Sequence, residues 1–188
     1  MTKIAVDFGT TNTLAAVWRE ATSTPETVRL PGLSVAADGQ PPLVPSLLYV
    51  LDGAAGDVVA GQSVRSQGYD VAGDERLFAS FKRGIAARSR PLARDIDGVA
   101  WDEPRAGEAF MAAVLEAAAG VEGGIDELVL TVPVQSFERY LKWLRDETTL
   151  TGAQGRAAGQ RVGTLDDGTA AGLGYAVPTP GELMLVID

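Results

Sequence analysis

An acid, a glycine and three threonines stand close together near the start of the chain, in the run Asp7-Phe8-Gly9-Thr10-Thr11-Asn12-Thr13. Consecutive backbone N–H groups in a glycine-containing turn form a concavity that binds anions, and threonine hydroxyls add donors. A carboxylate beside such a concavity can hold a hydrated divalent cation. Phosphate with magnesium is the ligand this set suits. Asp, Gly, Asn and Thr are also ordinary turn residues, but a turn requires neither an acid at the end of an apolar strand nor a row of hydroxyls.

The elements that would position this run are two strands. Ile4, Val6 and Phe8 alternate with smaller residues, and Leu14, Ala16 and Trp18 alternate again, which is the period of half-buried paired strands. The expectation is a β-hairpin with a polar tip. Further strands are expected at Val28–Leu30, Ser46–Leu51, Val58–Gly61, Val99–Trp101, Leu128–Val132, Arg161–Leu165 and Leu183–Ile187. Helices are expected over Leu77–Ile85, ended by Gly84, and from Pro104 to Ala119, closed by Gly120. A third follows Ser136 as N-cap, with Phe137, Tyr140, Leu141 and Leu144 on one stripe and Trp143 off it. A short helix of small residues covers Thr169–Tyr175, and Gly152–Gln160 reads as a loop. Strands alternating with helices give an α/β fold. Its organisation is a base formed by residues 1–31 and 102–188, with residues 32–101 inserted as a rim subdomain.

Composition removes several chemistries. The chain of 188 residues contains neither cysteine nor histidine, which excludes Ser-His-Asp and Cys-His catalysis and nearly every zinc site. With 25 acidic and 16 basic residues the formal charge is −9, and no basic stripe forms, so nucleic acid is not the expected partner. The apolar start is interrupted by Asp7 and is neither a signal peptide nor a span. A soluble cytoplasmic protein with no membrane partner is expected.

Four more segments, in order and spacing, complete a resemblance. VPSLLYV (Val44–Val50), LFASFKRGI (Leu77–Ile85), LTVPVQSFERYLKWLRD (Leu130–Asp146) and TAAGLGYA (Thr169–Ala176) follow the DFGTTNT hairpin. Together they resemble the N-terminal lobe of the ATPase domain of the seventy-kilodalton heat-shock chaperone (DnaK-type) family, within the actin, sugar-kinase and heat-shock ATPase superfamily. The resemblance covers essentially the whole chain. It implies an actin-like (ribonuclease H-like) lobe: a mixed sheet with an opening antiparallel hairpin and an inserted rim. It implies ATP and Mg2+ as ligands and ATP hydrolysis by a longer parent, with this chain alone inactive. The partners it implies are a second ATPase lobe and a substrate-binding domain.

Site roles follow residue by residue. The resemblance makes Asp7, Gly9, Thr10, Thr11 and Asn12 the nucleotide-binding tip, with Thr10 and Thr11 on the β/γ-phosphate oxygens. Asp7 and Asp188 would face magnesium through water, and Lys82 and Asp167 would be the catalytic pair. Lys82 has support of its own: the chain holds 13 arginines but only three lysines, Lys3, Lys82 and Lys142, and a compact ammonium suits a point contact on a γ-phosphate. Phosphoryl transfer needs positioning and charge neutralisation above all.

Two departures stand out. The family's Glu-Pro before TAA is Asp167-Gly168 here, and the aromatic pair after the proline matching Pro133 is replaced by Gln135-Ser136, with Phe137 shifted by one. Rival readings are a small-molecule kinase of the same superfamily, an actin-like filament protein and a non-hydrolysing scaffold. Asp167→Glu lengthens the acid toward a magnesium-bound water, so single-turnover hydrolysis by a parent carrying both lobes should be retained or raised. Loss of hydrolysis with the fold intact would remove Asp167 from this role.

Overall fold

A computed structural model of the chain describes residues 1–87, 89, 91–132, 138–145, 161–166 and 169–170. The strands are β1 (Lys3–Phe8), β2 (Asn12–Arg19), β3 (Thr24–Thr27), β4 (Val44–Pro45), β5 (Leu47–Asp52), β6 (Asp57–Ala60), β7 (Leu77–Ala79), β8 (Arg94–Ile96), β9 (Val99–Trp101), β10 (Glu127–Val132) and β11 (Arg161–Asp166). The helices are α1 (Gln62–Ser66), α2 (Phe81–Ala86), α3 (Glu103–Glu122) and α4 (Glu138–Arg145). The fold is therefore mixed α/β.

The large sheet runs β11-β10-β1-β2-β3, with β4 added beside β2. β1 pairs β2 antiparallel but pairs β10 parallel, and β10 pairs β11 parallel. β2 is edged by two partners in turn: Asn12 and Thr13 face Pro45 and Val44 of β4, and Ala16 to Arg19 face β3. Period-two alternation does the sorting. Ile4, Val6, Phe8, Thr13, Ala15, Val17, Leu128, Leu130 and Val132 go to one buried face. The other face is open along Ala5, Ala16, Trp18 and Val129.

The buried face is covered chiefly by α3. Its Ala106, Phe110, Met111, Val114, Leu115 and Ala118 recur at helical spacing and are buried. Asp102 caps its first turn by accepting the Arg105 N–H, and Pro104 sits where no intrahelical donor is missed. At the far end Arg19 grips Glu122 with both guanidinium NH2 groups and Glu26 with Nε. That fork ties the last turn of α3 to β2 and β3. Among the described residues no helix is long and apolar enough to cross a membrane.

Residues 46–101 build a second layer on the same core. β6-β5-β7 form a three-stranded sheet, and β8 and β9 a hairpin. Asp97 receives the Gly53 N–H and the Arg76 guanidinium, which together hold its carboxyl below the usual carboxylate range. Arg94 lies 4.1 Å over the Phe78 ring and donates to the Glu75 and Leu77 carbonyls, covering the open edge of β7. Phe81 of α2 packs on Phe8 and Phe110, so residues of the inserted segment and of the large sheet and α3 share one core. The large sheet itself takes β4 from beyond residue 31.

Several elements differ from the sequence expectation. The third strand is Thr24–Thr27 rather than Val28–Leu30; Val28 and Leu30 instead bury their side chains, and the Val28 amide bonds to Ala15. The expected Leu77–Ile85 helix is a strand and a helix, broken at Ser80, whose φ of 56° suits neither. Gly84 lies inside α2 and does not end it. α3 runs through Gly120 to Glu122 and stops at Gly123, where φ is 75°. Trp143 is not off the buried stripe: it is 8% exposed and packs on Phe8. The expected Ser136 cap, the Gly152–Gln160 loop, the Leu183–Ile187 strand and most of the Thr169–Tyr175 helix lie outside the described residues; Thr169 and Ala170 are helical.

Gly107 lets α2, α3 and α4 meet. A Cβ there would stand 2.7 Å from Ile85 Cδ1 and 2.8 Å from Trp143 Cζ2. Gly107→Ala should therefore destabilise the fold by about 1–3 kcal/mol through overpacking, although alanine is the better helix former by about 1 kcal/mol. Urea unfolding gives the sign directly, and a stabilised variant would mean that α4 is not seated against α3.

Candidate phosphate-binding site

The parallel strands β1, β10 and β11 end at Phe8, Val132 and Asp166, on one side of the large sheet. Ligands of open α/β sheets bind beyond such carboxyl ends. The hairpin tip, Gly9 to Asn12, follows β1 at this edge. A Cβ at position 9 would overlap the Asn12 carbonyl oxygen, so glycine is what allows the tip to close. Thr11 and Asn12 are exposed, and Thr10 is half-buried.

The tip is fastened by Ser46, between β4 and β5. The Ser46 N–H donates to the Thr11 carbonyl (2.9 Å), and the Ser46 hydroxyl donates to the Gly9 carbonyl (2.8 Å). The same hydroxyl lies 3.0 Å from the Thr13 hydroxyl, with both side chains buried. Thr13 is thus a strut and not the third ligand hydroxyl that its type suggests. With two tip carbonyls tied back, the loop has a fixed shape before any anion arrives, and a preorganised donor set binds without first being ordered.

Asp7 is exposed on the open face of β1, and its Oδ1 accepts a 2.8 Å hydrogen bond from the Thr131 hydroxyl of β10. Neither Ser46 nor Thr131 was marked by its type. Their neighbours were: both lie in the segments VPSLLYV and LTVP.

Among the described residues no group of three or more acidic side chains could cage a metal ion. A hydrated magnesium needs less, because it keeps several waters and takes one or two carboxylates. Asp7, oriented by Thr131, fits that requirement. Asp188 and Asp167, with Gly168 and Pro133, lie outside the described residues. Asp166 does not: it ends β11 opposite Val132 and accepts both the hydroxyl and the N–H of Thr169, which hold its carboxyl below its ordinary range.

Lys82 comes from α2 into the aromatic core around Phe8. Its side chain is buried, with the ammonium 5.8 Å from the centre of the Phe8 ring and 5.5 Å from that of Tyr140. Phe8 directly precedes Gly9 in the chain, so Lys82 packs against the residue that leads into the tip. Around Phe8 stand Phe81 (5.8 Å), Phe110 (5.9 Å) and Trp143 (5.8 Å). The structure thus places Asp7, Gly9, Thr10, Thr11 and Asn12 along one turn and sets Lys82, far along the chain, against Phe8 on the opposite face of β1 from Asp7.

Ser46→Ala should cost about 1–3 kcal/mol, because it strands the buried Thr13 hydroxyl and frees the Gly9 carbonyl. Amide hydrogen exchange at Gly9–Asn12 should speed up more than elsewhere in the large sheet. Uniform acceleration across the sheet would show that Ser46 does not brace the tip in particular.

Comparison with models of known protein families and with curated proteins gives no match.

Proposed function

We propose that this chain is the phosphate-binding lobe of an ATP-binding and ATP-hydrolysing domain with the actin-like (ribonuclease H-like) fold, in a divergent heat-shock-type chaperone. The observation that carries this reading is the braced acid–glycine–threonine tip at the carboxyl edge of β1, with Lys82 packed on the ring of Phe8, the residue before it. Its support beyond geometry is the ordered resemblance of the five segments.

In this reading the Gly9–Asn12 amides and the Thr10 and Thr11 hydroxyls donate to phosphate oxygens. Asp7 orients a hydrated Mg2+, which supplies charge neutralisation at the phosphates when bound. Lys82 presents a positive charge to the phosphoryl group as negative charge spreads over its oxygens, the form of stabilisation that such transfers depend on most. Asp167 orients the attacking water and Asp188 is the second acid facing the metal. The adenine and ribose are held by a second lobe, and closure of two lobes around the nucleotide is the hinge motion that would bias an attached binding domain.

ATP·Mg added to the purified 188-residue chain tests this. The tip offers the triphosphate hydrogen bonds but no burial for the base, so affinity should be on the order of millimolar or weaker. Amide shifts should concentrate at Gly9–Asn12, and Lys82→Ala should reduce them without unfolding the sheet. In the two-lobed domain the same substitution should slow single-turnover hydrolysis on the order of a hundredfold. Shifts that avoid the tip would overturn phosphate binding there, and low-micromolar affinity would overturn the one-lobe reading.

A further inference from the structure

An exposed carboxylate at the end of a strand rotates and is solvated from every side unless a neighbour holds it. Asp7 has such a neighbour. The Thr131 hydroxyl of β10 donates to its Oδ1 at 2.8 Å, across 124 residues of chain. Among the described residues neither Asp7 nor Thr131 has any other side-chain hydrogen bond or ion pair.

The register of the sheet isolates this pair. Asp7 stands opposite Leu14 of β2, and Thr131 opposite Leu165 of β11, so one row across the open face reads Leu14, Asp7, Thr131, Leu165. Both leucines are half-buried. Two positions back along the strands, on the same face, stand Ala16, Ala5, Val129 and Gly163. None of these neighbours has a polar side chain to compete for the Asp7 carboxylate or the Thr131 hydroxyl. The polar surroundings left to the pair are water and the tip, which begins two residues after Asp7.

A hydroxyl has one proton to donate and two lone pairs with which to accept. Thr131 commits its proton to Asp7, and an ionised carboxylate only accepts. The pair is therefore a surface of acceptors. The Gly9–Asn12 tip beside it is the reverse, a set of N–H and O–H donors suited to an anion. A phosphate oxygen has no proton to offer the pair, whereas a hydrated divalent cation offers those of its bound waters, and magnesium keeps several of them.

We infer that Thr131 is a residue of the cation site: its hydroxyl and the Asp7 carboxylate together accept hydrogen bonds from the shell of a hydrated divalent cation, which sorts cation from anion along one edge of the sheet. The inference rests on the phosphate-binding reading for the purpose of the cation, but the pair can be probed with no nucleotide present. Threonine and valine share a branched shape and both suit strands. The hydroxyl can therefore be removed with the strand packing kept.

Hexaamminecobalt(III) is the direct probe, because its ammines do not exchange and it binds only through their N–H groups. In the 188-residue chain it should shift the Asp7 carboxyl 13C and Thr131 methyl signals saturably, at concentrations where the carboxyl of the exposed Asp38 moves little. Thr131→Val should weaken binding at Asp7 by about threefold to tenfold, the scale of one hydrogen bond, and leave the Asp38 response unchanged. Thr131→Ser, which keeps the hydroxyl, should restore it.

A folded Thr131→Val chain that binds as the wild type does would overturn the inference, and so would a Thr131→Ser chain as weak as the valine variant. Should the valine variant not fold, the wild type decides alone: a complex ion that does not prefer Asp7 to Asp38 overturns the pair. Preferred binding at Asp7 with no Gly9–Asn12 shifts on adding ATP·Mg would instead overturn the phosphate reading and leave the cation pair standing. Tip shifts without that preference would do the reverse.

Discussion

One backbone step separates the two sides of this structure. Alternation along β1 sends Phe8 into the core and Asp7 to the open face, and Gly9 follows at once. Because side chains of a strand alternate, neither residue can be moved without moving the other. The core holds Phe8 by its ring neighbours, worth about 1.5–3 kcal/mol for burial of such a side chain. That anchoring determines where Asp7 and the tip are placed. A register slip by one residue in β1 would bury the acid and expose the ring, so the same packing that stabilises the sheet also fixes the geometry of its polar edge.

The second constraint is the economy of ties at the tip. Ser46 supplies a donor to each of two tip carbonyls and a partner to Thr13, and the next residue begins β5. Lys82 arrives from α2, after the three-stranded sheet has been completed. Residues from the inserted segment therefore brace the tip loop through Ser46 and pack a lysine on the ring of Phe8 just before it. Any rotation of the rim sheet relative to the large sheet acts on the Gly9 and Thr11 carbonyls through a single serine.

Much of this was legible in the residues. The hairpin, β5, β6, β9, β10 and β11 follow from alternation or from short apolar runs bounded by turn residues, and α3 from Pro104 in its first turn and its apolar spacing. What escaped had physical reasons. β7 falls inside a run whose spacing suits a helix, and β8, Arg94–Ile96, carries an arginine and an aspartate and no apolar run. The break at Ser80 depends on a left-handed backbone that serine rarely takes. Trp143 is buried because Phe8 and Gly107, on other elements, open a place for the indole, which the spacing of its own helix does not show. The tip residues were visible as a run, but their supports were not: Ser46 lies 37 residues from Gly9, and Thr131 lies 124 from Asp7. Such pairings exist only once the chain has folded.

That last separation has a kinetic side. β1 and β2 can pair as soon as both have been synthesised, since a hairpin closes locally. The parallel partner of β1 begins at Glu127, and α3, which covers the buried face of the sheet, ends only at Glu122. Long-range parallel pairing must meet its loop-closure entropy before any contact rewards it. Ile4, Val6 and Phe8 thus emerge from the ribosome with nothing to cover them until most of the chain has followed. Throughout that interval the nascent hairpin presents an apolar face and an unpaired β1 edge, the combination that favours association with other chains. A protein with this strand order is, while being made, itself a candidate for a chaperone's attention.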